Sequence, residues 1–300
     1  MKQRTINDTI TLTGIGLHTG MPVHMTLEPL GDNSGIIFYR SDKGVSIPLT
    51  TENVVDTKMA TVIGKDGVTV STIEHLLSAI YAYGIDNLRV VLDNNEVPIL
   101  DGSSSGYCAL LDEVGIKEQN SLKKVLHIKK TIEIKDGNRY VKLTPSDNIV
   151  YNFTIDFEHP SIGKEHYSFD YTVLQYKEQI SKARTFGFLH EVQYLRSKGL
   201  AMGASMENAI VLDDEKILNP EGLRYHDEFV RHKILDAIGD MALIGYTIIG
   251  EYDAVAGSHH LNHLLTKELL KSKENYEIID LEEVISHKKT LEVAYAKAKG

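Results

Sequence analysis

HLLSAIYAYGIDNLRVVL at residues 75–92 and HKILDAIGDMALIGYTII at residues 232–249 share one pattern. Each opens on a histidine, carries apolar residues at helical spacing, breaks at small residues, and ends in an apolar strand. They align once a one-residue slip is allowed, which points to an internal duplication. Outward from the first stretch, Val23, Met25 and Leu27 alternate with His24, Thr26 and Glu28, the period-two signature of a half-buried strand. Further strands are expected at Gly35–Arg40, Val45–Pro48, Asn87–Asp93 and Glu96–Leu100, and Lys65-Asp66-Gly67 reads as a hairpin turn. A helix over Gly106–Val114 leads into the polar Gly115–Leu122, read as a linker. Beyond it the pattern restarts. Lys124–Ile134 and Arg139–Thr144 flank a turn at Asp136-Gly137, and Ile149–Phe157 alternates. Helical spacing returns in Val173–Ala183, Phe188–Lys198 and Asp227–Leu243; a strand at Tyr246–Val255 and a helix from His259 follow. Strands and helices come in runs rather than strict alternation, so the expected class is α+β. Two similar domains, residues 1–119 and 123–300, each layer helices on a mainly antiparallel sheet.

The bulk composition narrows the function. The chain has 300 residues, 42% of them hydrophobic and 25% charged, enough to bury a real core. Its formal net charge of −10 argues against broad contact with nucleic acid or an anionic membrane. Cys108 is the only cysteine, which removes intramolecular disulfides and cysteine-based zinc sites. Any metal must therefore be held by histidine and carboxylate. With neither an apolar signal core nor a run of 18 apolar residues, the expectation is a cytoplasmic protein without a membrane span.

Within that frame, His232-Lys-Ile-Leu-Asp236 places an imidazole and a carboxylate four residues apart on one helix face, and Asp240 extends the row. A solvated polar face is the ordinary explanation of such spacing. Here Phe229, Val230, Ile234, Ile238 and Met241 put the row beside buried surface, where charges need partners. Glu74-His75 suits hydrolysis, with a carboxylate next to a metal ligand. Ser71-x-x-Glu74 is equally a capping box, and spacing alone favours the cap; His75 alone reads as a packed side chain. Gly257-Ser-His259-His260 puts a histidine near a helix N-terminus, where a loop histidine is the plain alternative. Gly102-Ser-Ser104-Ser-Gly106 fits a serine nucleophile elbow, although hairpins dominate where that elbow needs a parallel sheet.

Six segments together resemble one family. They are GIGLHTG (14–20), TIEHLLSA (72–79), NEVPILDGSS (95–104), ARTFGF (183–188), NPEGLRYHDEFVRHKILDAIGD (219–240) and GSHHLN (257–262). In order and content they are similar to the UDP-3-O-acyl-N-acetylglucosamine deacetylases of lipid A biosynthesis. The resemblance implies zinc-dependent hydrolysis of the N-acetyl amide of a UDP-3-O-acyl sugar at a site between two α+β domains. It implies His75, His232 and Asp236 as zinc ligands, Glu74 as general base, and His259 as catalytic histidine with Asp240 as its partner. Thr185 corresponds to a hydroxyl on the oxyanion, Lys233 and Phe186 to substrate contacts, and His18 to a position near the nucleotide. Ser258 stands where relatives commonly carry a second glycine, and Leu264 where many carry a basic residue. The expected protein is a monomer that touches the inner membrane face only transiently. Three classes stay open: a zinc deacetylase, a serine esterase using Ser104, and a non-catalytic protein with a structural metal.

Overall fold

The computed structural model describes residues 1–280. Six α-helices occur among them: α1 (Glu74–Ala82), α2 (Ser105–Val114), α3 (Val173–Gln179), α4 (Leu189–Ser197), α5 (Glu228–Met241) and α6 (His259–Leu270). The first half folds around a five-stranded sheet ordered Ile10–Ile15, Pro22–Pro29, Leu88–Leu92, Ile36–Arg40, Val45–Pro48. All its pairings are antiparallel except Ile36–Arg40 with Leu88–Leu92. The second half carries a seven-stranded sheet centred on Thr247–Val255, which runs antiparallel to Arg139–Thr144 and parallel to Lys124–Ile128 and Ile149–Phe157. This is the two-layer α+β arrangement expected from runs of strands and helices. The duplicated pattern has a structural counterpart, since in each half a buried helix feeds the strand that joins parallel and antiparallel neighbours.

Alternating apolar residues explain the inner faces. Val23, Met25 and Leu27 are buried on one strand, and Tyr151, Phe153 and Ile155 on another. All nine residues of α1 are buried, and Lys233 is the one α5 residue that is not. The two helices pack face to face. A Cβ on Gly239 would come within 2.1 Å of the Glu74 carbonyl oxygen, so the close approach needs a glycine in mid-helix.

Several expectations are corrected. Gly115–Leu122 is no linker: Ile116–Leu122 is a strand paired antiparallel with Lys2–Ile6. Glu96–Leu100 forms no strand beyond a single bridge from Glu96 to Ser71. Lys124–Ile134 is two strands, Lys124–Ile128 and Ile132–Asp136, in different parts of the sheet. Gly163–Asp170, Phe186–Phe188, Ile210–Leu212 and Tyr276–Asp280 are further strands that periodicity did not mark. The expected second domain extends to residue 300, so its last 20 residues lie outside the described residues.

Candidate metal and hydrolytic site

Glu74 and His75 open α1, His232, Asp236 and Asp240 line one face of α5, and His259 opens α6. The packing of α1 on α5 brings the first five together from positions about 160 residues apart in sequence. Donor atoms of His75, His232 and Asp236 lie within 4.8 Å of one another, the one such metal-competent group among the described residues. Asp236 Oδ1 is 3.5 Å from His75 Nε2 and 3.3 Å from His232 Nε2. Although buried, that oxygen has no hydrogen-bond partner.

The protonation states sharpen this. His232 Nδ1 lies 3.0 Å from the Ala183 carbonyl, which can only accept, so Nδ1 carries the hydrogen. Burial pushes this imidazole down to about 3, so the ring is neutral and Nε2 presents a bare lone pair. Burial also opposes charge on Asp236, but its carboxyl is held well below the ordinary range, and with His232 neutral the cation paired with it is Lys233, whose Nζ sits 2.9 Å from Oδ2. A bare nitrogen facing a bare carboxylate oxygen in a buried site is repulsive unless a cation lies between them. Two imidazoles and one carboxylate leave a fourth position open, as hydrolytic metal sites require, and the carbonyl behind His232 is the usual outer support of a ligand. The residues fit a metal.

Next to this triad, His259 Nδ1 is 2.8 Å from Asp240 Oδ2 and His259 Nε2 is 3.7 Å from Glu74 Oε1. Burial disfavours the His259 cation, but Asp240 and then Glu74 outweigh it and raise the imidazole to about 10. Burial raises Glu74 above its ordinary value, with His259 and His75 opposing. The capping role is excluded. Thr72 turns through φ 59°, α1 starts at Glu74 after Ile73, and no side chain caps it. The Glu74 carboxylate instead accepts the Thr61 backbone N–H at 3.1 Å. Ser258, the departure from the family pattern, acts locally, because its hydroxyl accepts the Leu261 N–H as N-cap of α6.

Glu74, His75, His232, Asp236 and His259 line one cavity of about 500 Å³, together with Thr185, Phe186, Lys233 and His18. Asp240 stands behind His259. Thr185 is held by backbone hydrogen bonds to Gly102 and from Ile210, both 2.8 Å. Gly102, at φ 82°, comes so close to the Asn208 carbonyl that a Cβ would lie 1.9 Å from it. Phe186 packs edge-on against Phe229 with centroids 5.0 Å apart, and Lys233 Nζ lies 5.5 Å over its ring. His18 sits on a loop whose His18 and Thr19 N–H groups donate to Glu96 at 2.8 and 2.9 Å; burial lowers its pKa, and its Nδ1 is buried without a partner. Most of the remaining lining is apolar, with Val192 and Leu195 from α4 and Val211 and Leu218 beyond it, while Thr72, Arg196 and Ser205 are its polar members.

The acyl chain that the resemblance implies calls for an apolar passage, but sequence reasoning named none of its residues, because α4 buries no residue completely and nothing in its sequence ties it to the site. Sequence reasoning also missed Thr61 and Asn262, whose side chains donate to Asp240 at 2.6 and 2.8 Å. Nothing local marks Thr61, and Asn262, although it closes the GSHHLN segment, carries no spacing that ties it to Asp240. The serine-elbow alternative fails on geometry: Ser104 is fully buried and donates to the His75 carbonyl at 2.7 Å. Its hydroxyl helps hold a candidate metal ligand and cannot reach a substrate. Among the described residues, no helix is long and apolar enough to cross a membrane.

Comparison with known proteins agrees with this geometry. The profile of a family described as UDP-3-O-acyl N-acetylglycosamine deacetylase matches residues 3–271. The chain is 70% identical over 299 residues to the UDP-3-O-acyl-N-acetylglucosamine deacetylase of Aliarcobacter butzleri, covering 99% of each. It is 64% identical over 280 residues to that of a Nitratiruptor species, covering 93% of this chain and 94% of the relative. Against the Campylobacter jejuni subsp. jejuni enzyme of that name the figure is 56% over 297 residues, 99% of each chain. With the profile covering nearly the whole described chain and close relatives aligned end to end, the chain belongs to the UDP-3-O-acyl N-acetylglycosamine deacetylase family.

Proposed function

We propose that this chain hydrolyses the N-acetyl group of UDP-3-O-acyl-N-acetylglucosamine, yielding acetate and the free 2-amino sugar nucleotide for lipid A biosynthesis. One observation carries the reading. A buried His-His-Asp donor set, a carboxylate of raised pKa and a cationic histidine converge on one cavity that continues into a largely apolar arm beneath α4. The donor set fits zinc, a borderline ion commonly held by imidazole and carboxylate. When bound, zinc supplies Lewis acidity and lowers the pKa of water to about 7.

The chain's own groups do the rest. Glu74, above the ordinary carboxylate range, accepts the proton of the attacking water. The Thr185 hydroxyl and the His259 cation stabilise charge on the acetamide oxygen as the carbonyl carbon becomes tetrahedral. Asp240 keeps His259 protonated and oriented. Cleavage of the C–N bond needs one proton on the departing amine, given by His259 or by Glu74 returning the proton it took from water. Lys233 and Phe186 flank the route by which the sugar nucleotide enters, His18 lies towards the nucleotide, and the arm beneath α4 takes the acyl chain. The structural-metal alternative is disfavoured because a closed site needs four protein ligands and three are offered.

We further assign residues 1–119 and 123–300 to the two domains, with the first extended by the strand that ends at Leu122. The reading also includes a monomer in the cytoplasm with only transient contact at the inner membrane face. The test is acetate release from UDP-3-O-acyl-N-acetylglucosamine and from the same nucleotide without its acyl chain. The acylated substrate should turn over far faster; no acetate from either would refute the reading.

A further inference from the structure

Thr61 is 1% exposed and immediately precedes the strand Val62–Lys65, part of a small three-stranded sheet with Val54–Asp56 and Val68–Val70. It touches neither the cavity nor the metal donors. Its two hydrogen-bond donors nevertheless point at the two acidic residues of the proton machinery. The Thr61 hydroxyl donates to Asp240 Oδ1 at 2.6 Å, and its backbone N–H donates to Glu74 Oε2 at 3.1 Å. With Glu74 Oε1 3.7 Å from His259 Nε2 and His259 Nδ1 2.8 Å from Asp240 Oδ2, the four residues close a ring.

We infer that Thr61 is a positioning residue for hydrolysis: it fixes which oxygen of Glu74 and which oxygen of Asp240 serve the reaction. The inference rests on the reading of the site given above. Asp240 has three neutral or cationic donors about it. Oδ2 receives His259 and Asn262, both at 2.8 Å, while Oδ1 receives only the Thr61 hydroxyl among the hydrogen bonds observed. Remove that hydroxyl and Oδ1 is a buried acceptor with no donor, which favours rotation of the carboxylate and loosens Oδ2 from His259. Glu74 is treated similarly. The Thr61 N–H occupies Oε2 and leaves Oε1 on the His259 side. Glu74 belongs to α1, Asp240 to α5 and His259 to α6, so a residue leading into a separate sheet ties α1 to α5 directly and reaches His259 on α6 through Asp240.

The test uses the full-length, metal-loaded enzyme with its acylated sugar nucleotide, in a cycle of Thr61→Val, Asp240→Asn and the double variant. Valine keeps the shape and the backbone N–H and deletes only the hydroxyl. Thr61→Val should lower kcat by roughly 10- to 100-fold, as loss of an outer support typically does, with KM and metal content unchanged. Acting through Asp240, it should add no further loss on the Asp240→Asn background. Thr61→Ser, which retains both donors, should recover most of the activity. Independent, multiplying losses in the double variant, or a serine variant as slow as the valine variant, would overturn the inference. So would a valine variant with wild-type kcat. If the valine variant fails to fold, the serine comparison is made against Thr61→Ala by the same criteria. A wild-type enzyme that releases no acetate would instead overturn the reading of the site, and this inference with it.

Discussion

His259 Nδ1 lies 2.8 Å from Asp240 Oδ2, and this pairing supports the positive charge of the His259 imidazole. Burial works against the cation, Asp240 and Glu74 outweigh burial, and the imidazole is raised to about 10. A metal ion on His75, His232 and Asp236 would lower that value, so the cation is lost on the alkaline side below that region. The rate should rise as Glu74 loses its proton and fall on the alkaline side as His259 loses its own. Asp240→Asn should move the alkaline limb to lower pH, since the cation loses its strongest support. A full pH–rate curve for wild type, Asp240→Asn and His259→Ala checks this; an alkaline limb unchanged in His259→Ala would assign that limb elsewhere.

Glu74 carries a second prediction. Its carboxylate does not cap α1, so Glu74→Gln should leave fold and metal content intact while kcat drops by roughly 10²–10⁴, the range for general acid–base catalysis. Circular dichroism, metal analysis and turnover on one preparation decide it. A stability loss with unchanged turnover would make the residue structural.

Those two residues also mark how far the sequence could be read. The helices α1 and α5 were legible because buried elements show their period, as were strands such as Ile149–Phe157 with one apolar face. Ile116–Leu122 was not, because it pairs only with Lys2–Ile6 and its lysine, glutamate, glutamine and asparagine give the composition of a linker. Gly163–Asp170 hid for a related reason: much of it faces solvent, and its single fully buried residue is Phe169. At the site, His232, Asp236 and Asp240 followed from helical spacing. Glu74 did not; spacing alone pointed to a cap, the family resemblance set that reading aside, and the turn at Thr72 excludes it. The contribution of Thr61 depends on a contact 179 residues away, which no local pattern encodes.

Lys233 is a sharper case than its spacing suggests. Its ammonium is 2.9 Å from Asp236 Oδ2, lies over Phe186, and has 28% of its side chain exposed. Lys233→Ala should weaken the nucleotide substrate more than a soluble acetamide lacking UDP, read as the ratio of kcat/KM losses. Equal losses would mean that the lysine acts chiefly through Asp236.

The apolar arm makes a prediction about chain length. Val192 and Leu195 on α4 face the cavity, so Leu195→Trp should raise KM for long 3-O-acyl chains and spare short ones. Measurement over a series of acyl lengths checks it; a uniform rise would place the acyl chain outside this arm.

The proposed hydrolysis stands or falls on a catalytic metal held by His75, His232 and Asp236. The decisive measurement is metal content of the purified protein together with acetate release, before and after a strong chelator and again after zinc is restored. The expected result is about one zinc per chain, loss of metal and activity together on chelation, recovery of both with zinc, and sharply reduced zinc in His232→Ala. Full zinc occupancy in His232→Ala, or undiminished acetate release from metal-free protein, would contradict it.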